Sequence, residues 1–142
     1  MKKQIANLLG VLSLLLVAAC ANAQTVAKAD IPFGFVVDKA TLPAGTYSID
    51  SISNTSSTEI LALRSLDGRV GMLLMPNHQT TSANPSPDSR LVFHRYGDQY
   101  FLSQIWVAGE SRGRELKVSR REAEVAKNQQ TSEDVIVMAA LR

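Results

Sequence analysis

Turn-forming residues punctuate this chain at roughly 8–12 residue intervals, and that spacing constrains the fold more than any other feature. Pro32 with Gly34, Pro43-Ala44-Gly45, the polar run 53–58, Asp67-Gly68, the loop 77–89, Gly97-Asp98 and the turn at Gly109 leave intervals too short for long helices. Between them the residues alternate polar and apolar, or run apolar, as strands do. "TVAKADIPFGFVV" (25–37) is a strand pattern broken by Pro32 and Gly34, which implies an edge, a bulge or a change of sheet. After "LPAG" comes a strand with Tyr47, Ile49 and Ser51 on one face. "SNTSST" (53–58) reads as a polar loop, and "EILALRS" and "RVGMLLMP" flank the hairpin signal Asp67-Gly68. "NHQTTSANPSPDS" (77–89) reads as the longest loop.

The densest stretch is "LVFHRYGDQYFLSQIWV" (91–107), a hairpin about a two-residue turn with Gly first. Pairing about Gly97-Asp98 sets Phe93 opposite Leu102, Leu91 opposite Gln104 and Arg95 opposite Tyr100. Leu91, Phe93, Leu102 and Trp106 then share the face expected to enter the core, and Arg95 lies over the Tyr100 ring near the turn. The other face carries Val92, His94, Tyr96, Gln99, Phe101, Ser103 and Ile105. His94, Tyr96, Gln99, Phe101 and Ser103 are the candidate ligand face, since aromatic rings pack on apolar ligand surfaces while His, Gln and Ser supply hydrogen bonds. The competing reading is a sheet surface covered by a helix or by the long loop.

Beyond Gly109 the pattern changes. Ser119 and Glu122 have capping-box spacing, and residues 119–127 are expected to form one short helix with an Arg120–Glu124 ion pair. "DVIVMAAL" closes the chain as a strand. The expected class is all-β, mainly antiparallel: a small β-sandwich or barrel of about seven to eight strands with that one helix.

The first 23 residues stand apart. Lys2 and Lys3 precede the apolar run "LLGVLSLLLVAA" (8–19), too short to span a bilayer, and the segment reads as a secretory signal. "ANA" before Gln24 suits cleavage after Ala23. "LVAAC" resembles a lipobox, in which Cys20 is lipidated and tethers the protein to the envelope. Cleavage after Ala23 turns 142 residues into 119 and takes fifteen basic side chains to thirteen, equal to the thirteen acids. That balance argues against nucleic acid as a partner. It leaves no cysteine, so residues 24–142 must fold as one β-rich domain on their core alone.

Signatures of catalysis are absent from the sequence. There is no G-x-S-x-G, H-E-x-x-H or phosphate loop, and His78 and His94 are the only histidines. No catalytic, cofactor-binding or metal residues are assigned, and no cofactor is expected. Asp98 and Glu110 are two carboxylates that folding could bring together, but a chain with thirteen acids offers many such pairs. Arg112, Arg114, Lys117, Arg120 and Arg121, interleaved with four glutamates, read as a solvated helix face, and Met72 and Met75 as core filler.

"TLPAGTY" and "LVFHRYGDQYFLSQIWVAGESRGREL" resemble a family of short exported proteins of acidobacterial-type soil bacteria, which share the "LPAGTY" strand and the "HRYGDxYFL" hairpin. The resemblance implies export and carries no activity, ligand or catalytic residue. The sequence is thus expected to encode a periplasmic or extracellular, non-catalytic binding or envelope-associated module. Its partner would be a small molecule, a glycan or an envelope protein. The alternatives are a lipoprotein anchored through Cys20 and, least favoured, a small hydrolase.

Overall fold

The computed structural model describes residues 24–54, 58–129 and 131–140. The signal segment, Cys20 and the cleavage site after Ala23 lie outside the described residues. Among the described residues the fold is β-rich with one short helix. Its strands are β1 (Gln24–Ile31), β2 (Phe35–Val37), β3 (Ala40–Leu42), β4 (Gly45–Asn54), β5 (Glu59–Ser65), β6 (Gly71–Leu74), β7 (His78–Thr81), β8 (Ser89–Tyr96), β9 (Gln99–Trp106), β10 (Arg112–Glu115) and β11 (Glu133–Ala140). Helix α1 (Arg120–Asn128) stands between β10 and β11.

Among the described residues, eleven strands rather than seven or eight belong to one mixed sheet, nine of them ordered β3-β2-β9-β8-β11-β1-β4-β5-β6, with β7 and β10 off that path. The pairs are antiparallel except β2 with β9, which run parallel where Val36 lies opposite Phe101. The sheet curls into a half-barrel rather than forming two packed layers. Pro32 and Gly34 mark a large change of place: β1 sits between β11 and β4, whereas β2 joins β9 and β3. Phe33, inside that crossing, stacks on Tyr100 with ring centroids 3.9 Å apart.

The inner face carries the core. Phe35, Tyr47, Ile49, Leu61, Leu63, Leu91, Phe93 and Ile105 are almost wholly excluded from solvent. Phe35 meets Tyr47 and Phe93 edge-on at 5.1 and 5.5 Å, contacts worth about 0.5–1.5 kcal/mol each beyond their burial. Tyr47, although central, donates its hydroxyl to Pro43 O at 2.7 Å, so the buried ring leaves no polar atom unpaired.

The β8–β9 hairpin keeps the expected pairing near its turn, with Phe93 opposite Leu102 and Arg95 opposite Tyr100. The Arg95 guanidinium lies 5.6 Å from the Tyr100 ring centroid. Gly97 has φ +59°, the left-handed value a Gly-first turn needs. Beyond Phe93 the register slips by one, so Leu91 faces Ile105 instead of Gln104. The slip is a β-bulge that leaves Ser103 unpaired with β8 and reverses the faces past it. Ile105 therefore enters the core, and Trp106 moves to the outer face. There Trp106 is still buried, with Arg90 over its ring at 5.1 Å and its indole N–H donating to Gln104 Oε1 at 2.9 Å.

What covers Trp106 is a second departure from expectation. The "loop" after Asn77 contains β7, which pairs with β10, and β10 pairs with the end of β9. Gly113 of β10 lies against the indole, where an added Cβ would approach the ring to 2.5 Å. Arg112 and Arg114 are thus strand residues, not part of a helix face. The Arg114 guanidinium is 12% exposed and lies 2.7 Å from Glu59 and 2.8 Å from Glu110, tying β10 to β5. The Asp98–Glu110 pairing finds no support, since Glu110 is committed to Arg114.

Candidate functional site

The sequence around Ser119 dictates where α1 begins. Ser119 adopts an extended conformation and its hydroxyl accepts the Glu122 backbone N–H at 3.1 Å, so the cap falls where the capping-box spacing places it. The helix then lies on the outer face of β8 and β9. Val125 and Ala126 pack against a small cluster of Val36, Tyr96 and Phe101, separate from the main core. Glu122 is the one helix residue that is fully buried. Arg120 and Glu124 form the expected i,i+4 pair at 3.8 Å, both largely in solvent.

A buried carboxylate requires partners, and the sheet provides them. His94 Nδ1 lies 2.7 Å from Glu122 Oε1, and Tyr96 donates its hydroxyl to the same oxygen at 3.5 Å. On the other side of the imidazole, Nε2 lies 3.0 Å from Ser103 Oγ and 3.9 Å from Asp134 Oδ1 of β11. Alternation along β9 already sets Ser103 on the face of His94 and Phe101, and the bulge leaves it without a cross-strand partner on β8. The hydrogen bond to Glu122 lifts the His94 pKa above its ordinary value against the opposing effect of burial, with the charges of Glu122, Asp134 and Glu115 adding to the rise. Burial, then the Glu122 charge, raises the Tyr96 hydroxyl.

Ser103, His94 and Glu122 are connected in the order of a serine-hydrolase relay. Its orientation is wrong for catalysis, however. Ser103 is 5% exposed, while the nearest cavity is bordered by Glu122, the acid end, and not by the hydroxyl. A nucleophile must face the substrate; here the chain of contacts runs away from it. The arrangement is a polar clamp between α1 and the sheet.

That cavity, about 290 Å³, lies where the two ends of the curled sheet approach without pairing. One wall is β6 with the residues after it, contributing Met72, Leu74 and Met75. The opposite wall is β2 and β9, contributing Val36, Phe101 and Leu102. A third side is the segment from Leu116 to Ser119 with Glu122 of α1. This segment is held in place by a fork in the sheet: β9 pairs with β2 at Phe101 and with β10 at Gln104, and between them Leu116 N–H donates to Ser103 O at 2.8 Å. Asp38 and Lys117 add one charge of each sign. Met75, at 62% exposure, is a rim residue rather than core filler, whereas Met72 packs on the core.

The five residues of the candidate face therefore separate. Tyr96, Phe101 and Ser103 are buried, and Gln99 and His94 are partly so. α1 covers the face, as the competing reading had it, and only Phe101 reaches the cleft. His78 stands exposed on β7, opposite Glu115 of β10. Val36, Leu74, Leu116 and Glu122 are among the cleft residues that sequence reasoning did not assign to a site. Glu122 had a signal as a cap residue; the others had none, since each reads as ordinary core.

Among the described residues no group of three or more His, Cys, Asp or Glu is placed to hold a metal, and no helix is long and apolar enough to cross a membrane. No protein-family model, curated protein or solved structure matches the chain.

Proposed function

We propose that this protein is an exported, non-catalytic binding module that takes a small apolar or amphiphilic molecule into the cleft between β6 and the β2–β9 edge. The observation that carries this reading is the seam itself. A sheet closing on itself would fill it with paired backbone, but here about 290 Å³ is lined by Val36, Leu74, Phe101 and Leu102 instead. That volume lies at the small end of the roughly 300–1,000 Å³ of ligand pockets and suits one acyl chain or one to two rings. Two methionines on one wall suit a ligand of variable shape, because the thioether chain repacks cheaply. Charges at the rim are few and of both signs, consistent with a mainly apolar ligand.

The test is binding of the uncharged fluorophore phenylnaphthylamine, followed by emission. Met72→Glu and Met75→Glu each place a charge in the cleft at a position that is not fully buried, so the fold should survive. At least tenfold weaker binding in both supports the reading. Binding unaffected by either change, with the circular dichroism of the fold intact, would place the ligand elsewhere.

Export rests on the residues before Gln24. The proposed mature chain begins at Gln24 without lipid, in the periplasm or outside the cell. Intact mass of protein from its native envelope checks this: the mass of residues 24–142 is expected, and a diacylated N-terminal Cys20 would establish the lipoprotein alternative.

A further inference from the structure

The Ser103–His94–Glu122 cluster has no part in lining the cleft by way of its histidine, yet it fixes the element that does. Helix α1 has nine residues, below the ~12–15 at which an isolated helix holds itself in water. Its apolar attachment is small, with Val125 and Ala126 only partly buried. Arg121 adds one exposed hydrogen bond, to Thr41 Oγ1 at 2.9 Å. The strongest tie is therefore Glu122, whose side chain is 5% exposed and bonded to His94. Among the described residues His94 is the only cationic group within 4.0 Å of that carboxylate.

We propose that His94 and Glu122 form a proton-controlled latch that holds α1, and with it the Ser119–Glu122 wall, against the sheet. The latch is shut while the imidazole carries its proton and loosens as the proton leaves. With the proton on, a cation sits against the buried Glu122, and Nε2–H points to Ser103 Oγ and Asp134. With it off, the ring still offers one N–H to Glu122, but the carboxylate has lost its counter-charge in a place with little water.

Every titratable group facing the ring favours the charged state: Glu122 from α1, Asp134 from β11 and Glu115 from β10 are acids. The Tyr96 hydroxyl on β8 is neutral through the relevant range. The raised His94 pKa has a definite sign: the latch is fully shut below about 6.5, the ordinary histidine value, and opens as pH rises through the higher docked value. Opening of α1 then grows about tenfold for each unit by which docking raises that pKa. Loss of ligand from the cleft at the alkaline side is a consequence that rests on the binding reading above; the latch does not.

Hydrogen exchange of the full protein, read by mass spectrometry on peptides covering 117–129 and corrected for intrinsic pH dependence, tests the latch between pH 6 and 9. Faster opening of this segment at the alkaline end, with β4 and β5 unchanged, is expected. Asp134→Asn, at an exposed position, should move the midpoint to lower pH. His94→Gln, which keeps a hydrogen-bond donor without a titrating charge, should erase the dependence. Opening that is flat with pH in the unaltered protein overturns the latch regardless of how the variants fold. Phenylnaphthylamine binding, run in parallel, separates the two claims. Dye that never binds while helix opening still follows pH removes the cleft reading and leaves the latch. Dye that binds equally at both ends while the helix opens removes the gating alone.

Discussion

At His94, one side chain links three strands and a helix, and its protonation state enters the stability of the whole domain. A folded pKa raised above the unfolded value means stability that is fully present below about 6.5 and lost as pH rises through the folded value. Urea midpoints of the unaltered protein should therefore fall between pH 6 and pH 9, and His94→Gln should flatten that slope. His94→Ala strands Glu122 without its partner and should cost about 1–3 kcal/mol at pH 6. A His94→Ala midpoint equal to the parent's would mean the imidazole is a surface group after all. Gly113 offers an independent check on the outer face. A methyl there meets the Trp106 ring at 2.5 Å, so Gly113→Ala should cost about 1–3 kcal/mol by overpacking, visible as a lower Tm. An unchanged Tm would mean that β10 does not lie on the indole.

Among the elements, the hairpin, the helix and the strand breaks were legible because their signals are local. Gly97 reports a turn through its backbone freedom, Ser119 and Glu122 report a cap through spacing, and Pro32 reports an interruption through its missing N–H. The bulge at Ser103 had no such signal. Serine at a bulge looks like serine in a strand, and the slip is decided by whether Ile105 or Gln104 better fills the space beside Leu91. β7 and β10 were hidden for a related reason: each has four residues, nearly all polar, and they are stabilised by pairing with each other across an intervening hairpin. The parallel contact of β2 with β9 joins residues 65 positions apart, Val36 and Phe101, which no periodicity can foretell. The same distance effect concealed the cleft, whose walls come from four separate parts of the chain. The Ser119 cap is testable at this scale. Ser119→Ala removes the acceptor for Glu122 N–H, and a loss of about 1 kcal/mol, together with faster exchange confined to α1, is expected. A loss spread evenly over the sheet would show that the cap serves the whole fold instead of the helix.

Over the whole molecule, the half-barrel explains why a cleft exists at all. Nine strands in path order curl far enough to bring β6 near β2 and β9, yet the two ends do not pair, and the residues facing the gap are mostly apolar, with Asp38, Lys117 and Glu122 the charged exceptions. α1 and the β7–β10 pair cover the outer face at two places, which buries the hairpin side chains that looked most functional and leaves the seam as the accessible apolar hollow. The direct test is methyl NMR of the isotope-labelled protein during titration with a short-chain alkyl detergent below its micelle concentration. The cleft reading predicts saturable shifts of the Met72 and Met75 methyls and of Leu74 and Leu102, with Ile136 and Met138, exposed on β11, left in place. Shifts centred on Ile136 and Met138, or none that saturate, would contradict it.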